Sequence, residues 1–239
     1  MIIDKLYIVV PAYNEEGSIA QIVDEWHAVV DSVGNGSKLV IFNDGSEDNT
    51  LIILKNIKNK YPNLIIINKE NTGHGPTCTT AYKYAVTKKA DWIFQTDSDG
   101  QTKSCDFWRF WEKRDKFDFI IGWRTKRGDG CTKRFISRTL KLSVFMIFGI
   151  IMKDVNAPFR LMKSERLCQY LSMIPDDYFL SNTLLSVMIT KNKEKVLWQK
   201  ISFTSRTSGI SSMPLKKVVR LGMFLIKQLY KMKNVRLQK

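Results

Sequence analysis

The stretch Asp91-Trp92-Ile93-Phe94-Gln95-Thr96-Asp97-Ser98-Asp99-Gly100-Gln101 decides the fold of this chain and its chemistry. Its apolar first part has the composition of a short buried strand, and two carboxylates one residue apart follow it. These carboxylates can both turn toward one divalent cation, and Gly100 permits the bend that brings Gln101 near it. Oxygen ligands of this kind suit Mg2+ or Mn2+, which take substrate phosphates as further ligands. The sequence therefore predicts a metal site formed by Asp97, Asp99 and Gln101.

Four units, each a short apolar run followed by a helical pattern, make up the first hundred residues. The apolar runs are Leu6 to Val10, Leu39 to Phe42, Leu64 to Ile67 and Trp92 to Phe94. Their β-branched and aromatic content is typical of strands that are buried on both faces. Because parallel strands need helical crossovers, the pattern predicts an α/β fold with a Rossmann-like, mostly parallel sheet and helices on both faces.

Each of these strands is followed by a polar segment that contains Gly or Pro. The segments are residues 11–16, 43–46, 71–75 and 97–101. Ligands of parallel sheets bind outside the carboxyl ends of the strands, so we expect the four segments to converge on one cleft. A plain polar turn is the alternative interpretation of residues 97–100, since Asp, Ser and Gly all favour turns. That alternative leaves the convergence unexplained.

The order and spacing of these segments resemble glycosyltransferase family 2, whose members have the GT-A fold. The matching motifs are Pro-Ala-Tyr-Asn-Glu-Glu at 11–16, Asn-Asp-Gly-Ser at 43–46, Asn-x-Gly at 71–73 and Asp-x-Asp-x-Gln at 97–101. The resemblance implies a nucleotide-diphosphate-sugar donor and Mg2+ or Mn2+ as cofactor. One departure is Asn43, where the family often has a second aspartate.

The family pattern also implies which residues bind the donor. The expected donor-binding residues are Pro11, Tyr13, Glu15, Asp44, Gly73, His74, Asp97 and Ser98. Among them, Asp44 matches the acid that contacts the base, and Asp97 is expected near the ribose and the metal. His74 follows a predicted strand and could approach the nucleotide or its diphosphate. A histidine in a turn can equally serve as a hydrogen-bonding partner of the backbone.

Basic residues follow the next predicted strand, Phe117 to Gly122. Arg124 lies directly after it, and Arg138 belongs to the basic and hydroxyl-rich stretch 132–139. The planar fork of arginine binds two phosphate oxygens at once. Both arginines match positions that clamp the donor diphosphate in the polyprenyl-phosphate sugar synthases (dolichol-phosphate mannose synthase-like), so the chain resembles this group. A solvated surface loop is the alternative interpretation of the basic stretch.

The segment Asp154 to Arg160 resembles the acceptor segment of that group, although Ala157-Pro158 replaces its usual Ser-Gly. A polyprenyl phosphate acceptor is already an anion, whereas a sugar hydroxyl of a glycan or lipid-linked saccharide needs a base. Asp154 and the pair Asp176-Asp177 are candidates, and the pair could instead cap the helix predicted from Tyr178. The predicted catalytic residues are Asp99, Arg124, Arg138, Asp154, Arg160 and Asp177. The resemblance thus implies inverting sugar transfer to a polyprenyl phosphate, with a glycan acceptor as alternative.

The net charge of +15 is concentrated at the C-terminus. Residues 195–239 contain eleven Lys or Arg and no acidic residue, which leaves +4 for residues 1–194. After Pro214, one stripe consists of Leu215, Val218, Val219, Gly222, Leu225, Ile226 and Leu229, and another of Lys216, Arg220, Lys227 and Lys231. A basic amphipathic helix of this kind binds anionic lipid. We expect a GT-A domain at 1–206 and a membrane-associating tail at 207–239.

Other features bear on location. Residues 142–152 are apolar but shorter than the roughly 20 residues that span a bilayer, so they form a core helix or, as we favour, a helix at the membrane interface. Residues 1–5 lead straight into a strand without a signal-peptide pattern. The cysteines Cys78, Cys105, Cys131 and Cys168 form no C-x-x-C pair. The expected location is cytoplasmic, peripheral on the inner face of the membrane.

Three other functional classes are compatible with parts of this pattern. Nucleic-acid binding would explain the charge, but aromatic residues are not interleaved with the basic tail as a stacking surface requires, so we expect no nucleic-acid partner. A nucleotidyltransferase would need a Gly-rich basic loop after its first strand, and Pro11 to Glu16 has neither glycine nor a basic residue. A non-catalytic basic scaffold predicts that Asp99→Ala leaves function intact. The sequence predicts no oligomeric state.

Overall fold

The structure is a computed structural model that describes residues 4–124, 131–204 and 215–233, with the backbone alone for 131–136 and 215–221. The strands in these residues are β1 (Leu6–Ala12), β2 (Lys38–Asp44), β3 (Leu64–Lys69), β4 (Trp92–Gln95), β5 (Phe119–Arg124), β6 (Arg160–Lys163) and β7 (Val196–Ile201). The α-helices are α1 (Ile19–Val33), α2 (Thr50–Ile57), α3 (His74–Thr87), α4 (Trp108–Trp111), α5 (Cys131–Phe148), α6 (Ser164–Leu171), α7 (Ser181–Lys191) and α8 (Leu215–Lys231).

All seven of these strands form one sheet in the order β3-β2-β1-β4-β6-β5-β7. Only β6 runs antiparallel to its neighbours β4 and β5, and the remaining pairs are parallel. The predicted α/β class with a mostly parallel sheet is therefore confirmed. The strand order reverses at β1, which has β2 on one side and β4 on the other. A topological switch point of this kind leaves a crevice at the carboxyl ends of the strands.

Two hydrophobic clusters cover the two faces of the sheet, because alternate residues of a strand point to opposite faces. Ile8 and Val10 are buried in the cluster that contains Trp26 of α1, whereas Tyr7 and Val9 are buried in the cluster that contains α3. Burying an aliphatic side chain of this size contributes about 1.5–3 kcal/mol relative to leaving it exposed. The continuous apolar run of β1 is thus explained by helices on both faces.

Two helices begin at other residues than the sequence pattern predicts. The helix predicted from Thr77 begins at His74, directly after Gly73, whose φ of +93° gives the chain its turn into the helix. The helix predicted from Tyr178 begins at Ser181, with Leu180 at the N-cap position. Helix capping by Asp176 or Asp177 is therefore wrong, because both precede the helix by more than one residue.

The apolar stretch predicted as a core or interface helix is the second half of α5 and the turn after it. Val144 and Phe148 are buried, whereas Met146 and Ile151 are among the most exposed apolar side chains that the structure describes. The core interpretation is therefore confirmed for the buried face, and the membrane-interface interpretation stays a prediction for the exposed face. None of the helices in the described part of the chain combines the length and the apolar character that a membrane crossing needs.

Helix α8 packs against α5 and against the core. Leu225 and Leu229, two members of the predicted apolar stripe, are buried in the same cluster as α3. The expectation that this stripe faces lipid is therefore wrong for these two residues, because the fold itself covers them. The predicted domain boundary between residues 206 and 207 lies outside the described residues, as do Pro214 and the side chains of the stripe from 215 to 221.

Candidate active site

A cavity of about 240 Å3 lies at the carboxyl ends of β1, β2 and β4. Its lining residues are Pro11, Ala12, Tyr13, Glu15, Asp44, His74, Asp97, Ser98 and Asp99. Seven of the eight residues predicted to bind a donor are among them, and Gly73 is the exception. The structure therefore brings residues of all four polar segments into one cleft, as predicted, and Asp97 and Asp99 share that cleft with Asp44.

Asp44 ends β2 and holds the turn that precedes α3. Its Oδ1 accepts a hydrogen bond from the backbone N–H of Thr72 at 3.0 Å, and its Oδ2 accepts one from Gly73 at 2.9 Å. Lys69 forms an ion pair with the same carboxylate. Burial acts to raise the pKa of Asp44, but the hydrogen bonds from Lys69 and Thr72 lower it below its ordinary value. Asp44 is therefore an ionised anchor for the 71–73 segment.

Gly45, next to Asp44, is a position that only glycine fits. Its φ is +65°, and an added Cβ would lie 2.7 Å from the backbone nitrogen of Asn71. The chain therefore passes close to the turn after β3 at this point. The Asn-Asp-Gly-Ser motif has its glycine here because two backbone segments meet at the rim of the cavity.

The loop after β1 is attached to neighbouring loops by hydrogen bonds. The backbone N–H of Asn14 donates to Ser46 Oγ at 3.0 Å, and the N–H of Glu15 donates to Thr50 Oγ1 at 2.8 Å. Ser18 Oγ donates toward both Glu15 Oε2 and the carbonyl of Ser98 at 2.9 Å. These bonds fix the loops around the cavity, while Tyr13 keeps 42% of its surface exposed.

Asp97 follows β4 at the floor of the cavity. Its Oδ1 accepts a hydrogen bond from Gln95 Nε2 at 3.1 Å and lies 3.8 Å from His74 Nε2. Burial raises the pKa of Asp97, and the Asp99 carboxylate adds to this, whereas His74 and Arg124 oppose it. Two carboxylates that line one cavity and repel each other would be stabilised by a bound cation.

The donor set fits a divalent cation that arrives with a phosphate. In the described part of the chain, no three His, Cys, Asp or Glu side chains form a group that could hold a metal. Mg2+ and Mn2+ sites commonly use one or two carboxylates and take their other ligands from water and substrate phosphates. Asp97 and Asp99 meet this requirement. Gln101 does not line the cavity, and its amide nitrogen donates to the carbonyl of Thr204 at 2.9 Å.

His74, the first residue of α3, lies at the side of the cavity. Its Nε2 is 3.5 Å from Cys78 Sγ, one helical turn further on. Cys78 and then Asp97 raise the pKa of His74, while burial acts to lower it. The raised pKa favours the cationic imidazolium. The histidine can therefore place a positive charge beside the two carboxylates.

Arg124 and Asp154 form a buried ion pair outside this cavity. Arg124 Nε donates to Asp154 Oδ2 at 2.7 Å, and its Nη2 donates to Oδ1 at 2.9 Å and to the carbonyl of Asn156 at 3.1 Å. The Asp154 side chain is only 2% exposed. An aspartate engaged by both arms of an arginine is a poor proton acceptor. The geometry argues against Asp154 as the base and makes Arg124 an anchor of the 154–160 segment.

The other three predicted catalytic residues lie in different places. Arg160 is completely buried and donates to the carbonyls of Ala157, at 2.8 Å, and Asn182, at 3.2 Å. Asp177 is exposed and does not line the cavity. Arg138 lines a second cavity on α5 instead of the first. Lys133 and Arg134, the other basic residues of the stretch 132–139, have side chains outside the described set.

The second cavity has a volume of about 320 Å3 and lies along α5 and the turn after it. Its lining consists of Arg138, Lys141, Leu142, Phe145, Ile150 and Ile151. Four of these side chains are apolar and two are basic. The surface of the cavity is almost entirely apolar, so Arg138 and Lys141 border it mainly with their carbon chains, and the cavity fits a hydrocarbon ligand.

Residues 7–168 match the family model described as Glycosyl transferase family 2. The chain belongs to this family. The match includes every residue that lines the first cavity and ends before α7. The predicted resemblance is therefore confirmed at the level of the family.

Two curated relatives are similar to parts of the chain. A dolichyl-phosphate beta-glucosyltransferase of Trichomonas vaginalis is 33% identical over 108 residues, which are 43% of this chain and 32% of the relative. An undecaprenyl-phosphate 4-deoxy-4-formamido-L-arabinose transferase of Shewanella sediminis is 27% identical over 161 residues, 66% of this chain and 48% of the relative. The chain spans about half the length of these relatives or less. Both are named for polyprenyl phosphates, which confirms the resemblance to that group.

Among solved structures, the chain is similar to glucosyl-3-phosphoglycerate synthase from Mycobacterium tuberculosis. The crystal structure of that enzyme with Mn2+, uridine diphosphate and phosphoglyceric acid has a TM-score of 0.70 to this chain at 15% identity. The similarity covers 98% of this chain and 80% of the other. At this level of identity it shows the fold alone, and the predicted GT-A fold is confirmed.

Sequence reasoning missed a set of buried polar residues directly beneath the cavity. Tyr82, Gln95 and Asn182 are almost completely buried and hydrogen-bonded to one another. The sequence gives a weak signal for Asn182, because it is the second residue of a helix whose following residues are predominantly apolar. Tyr82 and Gln95 give no signal in the sequence, because a tyrosine in a helix and a glutamine at the end of a strand are both common.

Proposed function

We propose that this protein is an inverting, metal-dependent glycosyltransferase that moves a sugar from a nucleotide-diphosphate-sugar to a polyprenyl phosphate at the membrane surface. The observation that carries the proposal is the single cavity at the switch point of the sheet, where Asp97 and Asp99 lie with Asp44 and Tyr13. The family match covers this cavity, and a protein of the same fold was crystallised with Mn2+ and uridine diphosphate.

In this proposal the first cavity binds the donor. Tyr13, Glu15 and Asp44 lie where the base and ribose would bind, and Asp97 and Asp99 lie where the diphosphate would bind. A divalent cation held by the two carboxylates would neutralise the charge that develops on the leaving diphosphate. His74, in its imidazolium form, supplies a further positive charge at the same place.

A polyprenyl phosphate fits the described residues better than a sugar hydroxyl does. A hydroxyl acceptor needs a base, and Asp154 is held by Arg124 while Asp177 lines neither cavity. A phosphate oxygen is already an anion, so its attack on the sugar requires no base. The apolar surface of the second cavity would take part of the isoprenoid chain, and the positive charges of Arg138 and Lys141 at its border would attract the phosphate.

We further propose that α5 and α8 attach the protein to an anionic membrane, on its inner face. The exposed apolar side chains of these helices include Leu142, Phe145, Met146, Met223, Ile226 and Tyr230. Exposed lysines such as Lys141 and Lys227 accompany them, and each basic residue near anionic lipid contributes about 1 kcal/mol. Residues 1–206 would then be the catalytic domain and 207–239 the membrane-associating tail.

The experiment that tests this function is a transfer assay with the full chain. The protein is incubated with Mn2+, a panel of uridine- and guanosine-diphosphate sugars and a short polyprenyl phosphate, and glycolipid formation is measured. We expect one donor to yield a glycosylated polyprenyl phosphate, and EDTA to abolish the product. Nucleotide release that occurs only with a glycan acceptor would overturn the lipid-phosphate acceptor but leave glycosyl transfer intact. No transfer with any donor would overturn both.

A further inference from the structure

A chain of three hydrogen bonds ends on the cavity carboxylate Asp97. Tyr82 Oη donates to Asn182 Oδ1 at 2.6 Å, Asn182 Nδ2 donates to Gln95 Oε1 at 3.1 Å, and Gln95 Nε2 donates to Asp97 Oδ1 at 3.1 Å. The members come from α3, α7 and β4. The chain therefore joins three elements of the fold to the floor of the cavity.

The direction of this chain follows from the protons available. Tyr82 has a single hydroxyl proton, and Asn182 Oδ1 is closer to it than Gln95 Oε1, which lies 3.2 Å away. The amide nitrogen of Asn182 must then face Gln95 Oε1. If the Gln95 amide turned over, its carbonyl would face the Asp97 carboxylate and its nitrogen would face another nitrogen. Gln95 is therefore held as a donor to Asp97.

The burial of these residues strengthens the hydrogen bonds of the chain. Tyr82 and Gln95 have no exposed surface and Asn182 is 4% exposed, so water cannot replace a lost partner. The backbone carbonyl of Asn182 also accepts a hydrogen bond from the buried Arg160 at 3.2 Å. Hydrogen bonds in such a dry site polarise one another, and a misplaced amide leaves an unsatisfied group. The Oδ1 atom of Asp97 is thus held in place by a buried hydrogen-bond donor, Gln95.

We propose that Tyr82, Asn182 and Gln95 are positioning residues that orient Asp97 for the divalent cation, with Oδ1 held by Gln95 and Oδ2 left for the cation. This inference rests on the proposed function, since it assumes that the cavity binds a cation with a nucleoside diphosphate. Partners that orient metal-binding side chains commonly change metal affinity or activity about 10- to 100-fold when they are lost. None of the three residues needs to touch the substrate.

The test is Mn2+ binding by the full chain in the presence of saturating uridine diphosphate. Free Mn2+ is measured by electron paramagnetic resonance, so the readout does not depend on turnover. Gln95→Met keeps the size of the side chain and removes the donor to Asp97, and we expect Mn2+ affinity to fall about 10- to 100-fold. Tyr82→Phe removes only the first hydrogen bond, and we expect a smaller fall of about two- to tenfold.

Thr79→Val is the matched control. Thr79 Oγ1 is buried and donates to Ser181 Oγ at 2.9 Å, so it also joins α3 to α7, but it has no bond to the Asp97 chain. We expect this variant to lose thermal stability and to keep the Mn2+ affinity of the wild type. A purely structural role of the buried network would instead weaken binding in all three variants.

The outcomes separate the two proposals. Weaker Mn2+ binding by Gln95→Met and Tyr82→Phe, with Thr79→Val unchanged, supports the positioning role. Equal affinity in wild type and Gln95→Met, or an equal loss in Thr79→Val, overturns it while the proposed function stands. If Gln95→Met does not fold, Tyr82→Phe decides by the same criteria. If the wild type binds Mn2+ neither with uridine diphosphate nor with guanosine diphosphate measured in the same way, the proposed function fails and the positioning role with it.

Discussion

The two halves of this molecule place their predicted functional residues very differently. In the first half, seven predicted donor-binding residues and Asp99 line one cavity. In the second half, Arg124 and Asp154 pair with each other, Arg160 is buried, Arg138 lines another cavity and Asp177 is exposed. Polar residues that directly follow parallel strands converge because the sheet topology brings those ends together. In the second half this rule does not apply, because β6 is antiparallel: Arg124 ends β5, whereas Arg160 begins β6 and Arg138 belongs to α5, so their positions depend on packing.

The difference predicts that second-half charges act mainly on stability. Arg124→Ala leaves the buried Asp154 carboxylate without its arginine, and we expect the free energy of unfolding to fall by about 3–5 kcal/mol. Urea unfolding followed by circular dichroism measures this. Lys83→Ala is the control, because it removes an exposed ion pair with Asp176 and is expected to cost about 0–1 kcal/mol. A variant that stays stable but loses transfer would instead place Arg124 on the donor diphosphate.

We expect the carboxylates Asp97 and Asp99 of the first cavity to affect the rate of sugar transfer strongly and the stability of the fold very little. Asp99→Asn removes a negative charge from the cavity, and we expect kcat for sugar transfer to fall about 10²- to 10³-fold with an unchanged melting temperature. Initial-rate kinetics with Mn2+ and a thermal scan measure the two effects. Glu47→Gln, the same change at an exposed carboxylate outside the cavity, should leave both values unchanged. Full activity of Asp99→Asn would argue for a non-catalytic protein.

Arg138 tests whether the second half also contributes directly to substrate binding. Because its side chain lines the apolar cavity, we expect Arg138→Ala to raise KM for a polyprenyl phosphate about tenfold and to leave KM for the donor unchanged. Lys103→Ala removes an exposed positive charge that does not line that cavity and serves as the control. If KM for the donor rises instead, Arg138 acts on the donor diphosphate, as its family position implies.

The smallest expected effect concerns the pH dependence of stability. The pKa of Asp44 is lowered in the folded state, so its contribution is fully present above the ordinary value of 3.8 and is lost as pH falls toward the folded pKa. We expect the fall in unfolding free energy between pH 7 and pH 3 to be about 1 kcal/mol smaller in Asp44→Asn than in the wild type. Urea midpoints between pH 7 and pH 3 measure this, with the exposed Asp176→Asn as control. An unchanged acid slope would contradict the role of Asp44 as an ionised anchor.

The sequence predicted the fold class well because its signals were local and redundant. Apolar runs such as Leu6 to Val10 are buried on both faces only when helices cover both sides of the sheet. The polar segments that follow these runs mark the edge of the sheet where the cavity lies. Predictions that depended on single residues did less well. Asp176 and Asp177 have good capping chemistry, yet the helix begins at Ser181, since propensity does not fix where packing lets a helix start.

The C-terminal helix shows the same limit. Its amphipathic stripe is visible in the sequence, but an apolar stripe does not reveal whether protein or lipid covers it. The structure assigns Leu225 and Leu229 to the core and leaves Ile226 and Tyr230 exposed. The hydrophobic effect favours covering an apolar face with either protein or lipid. Only the packing of α8 against α5 therefore shows which of its apolar residues the protein itself covers.

The sequence by itself determined the family, the parallel sheet and the carboxylates at its edge. The hydrophobic period, the turn residues and the order of the motifs can all be read from residues that are close together in the sequence. The tertiary structure alone decided that Arg124 neutralises Asp154, that Arg138 lies on an apolar cavity and that Tyr82, Asn182 and Gln95 support Asp97. Gln95 and Asp97 are two positions apart, but the contacts of Tyr82 with Gln95 and Asn182 and of Arg124 with Asp154 join residues separated by 13 to 100 positions. Their energies depend on distance and burial in three dimensions, which no local pattern encodes.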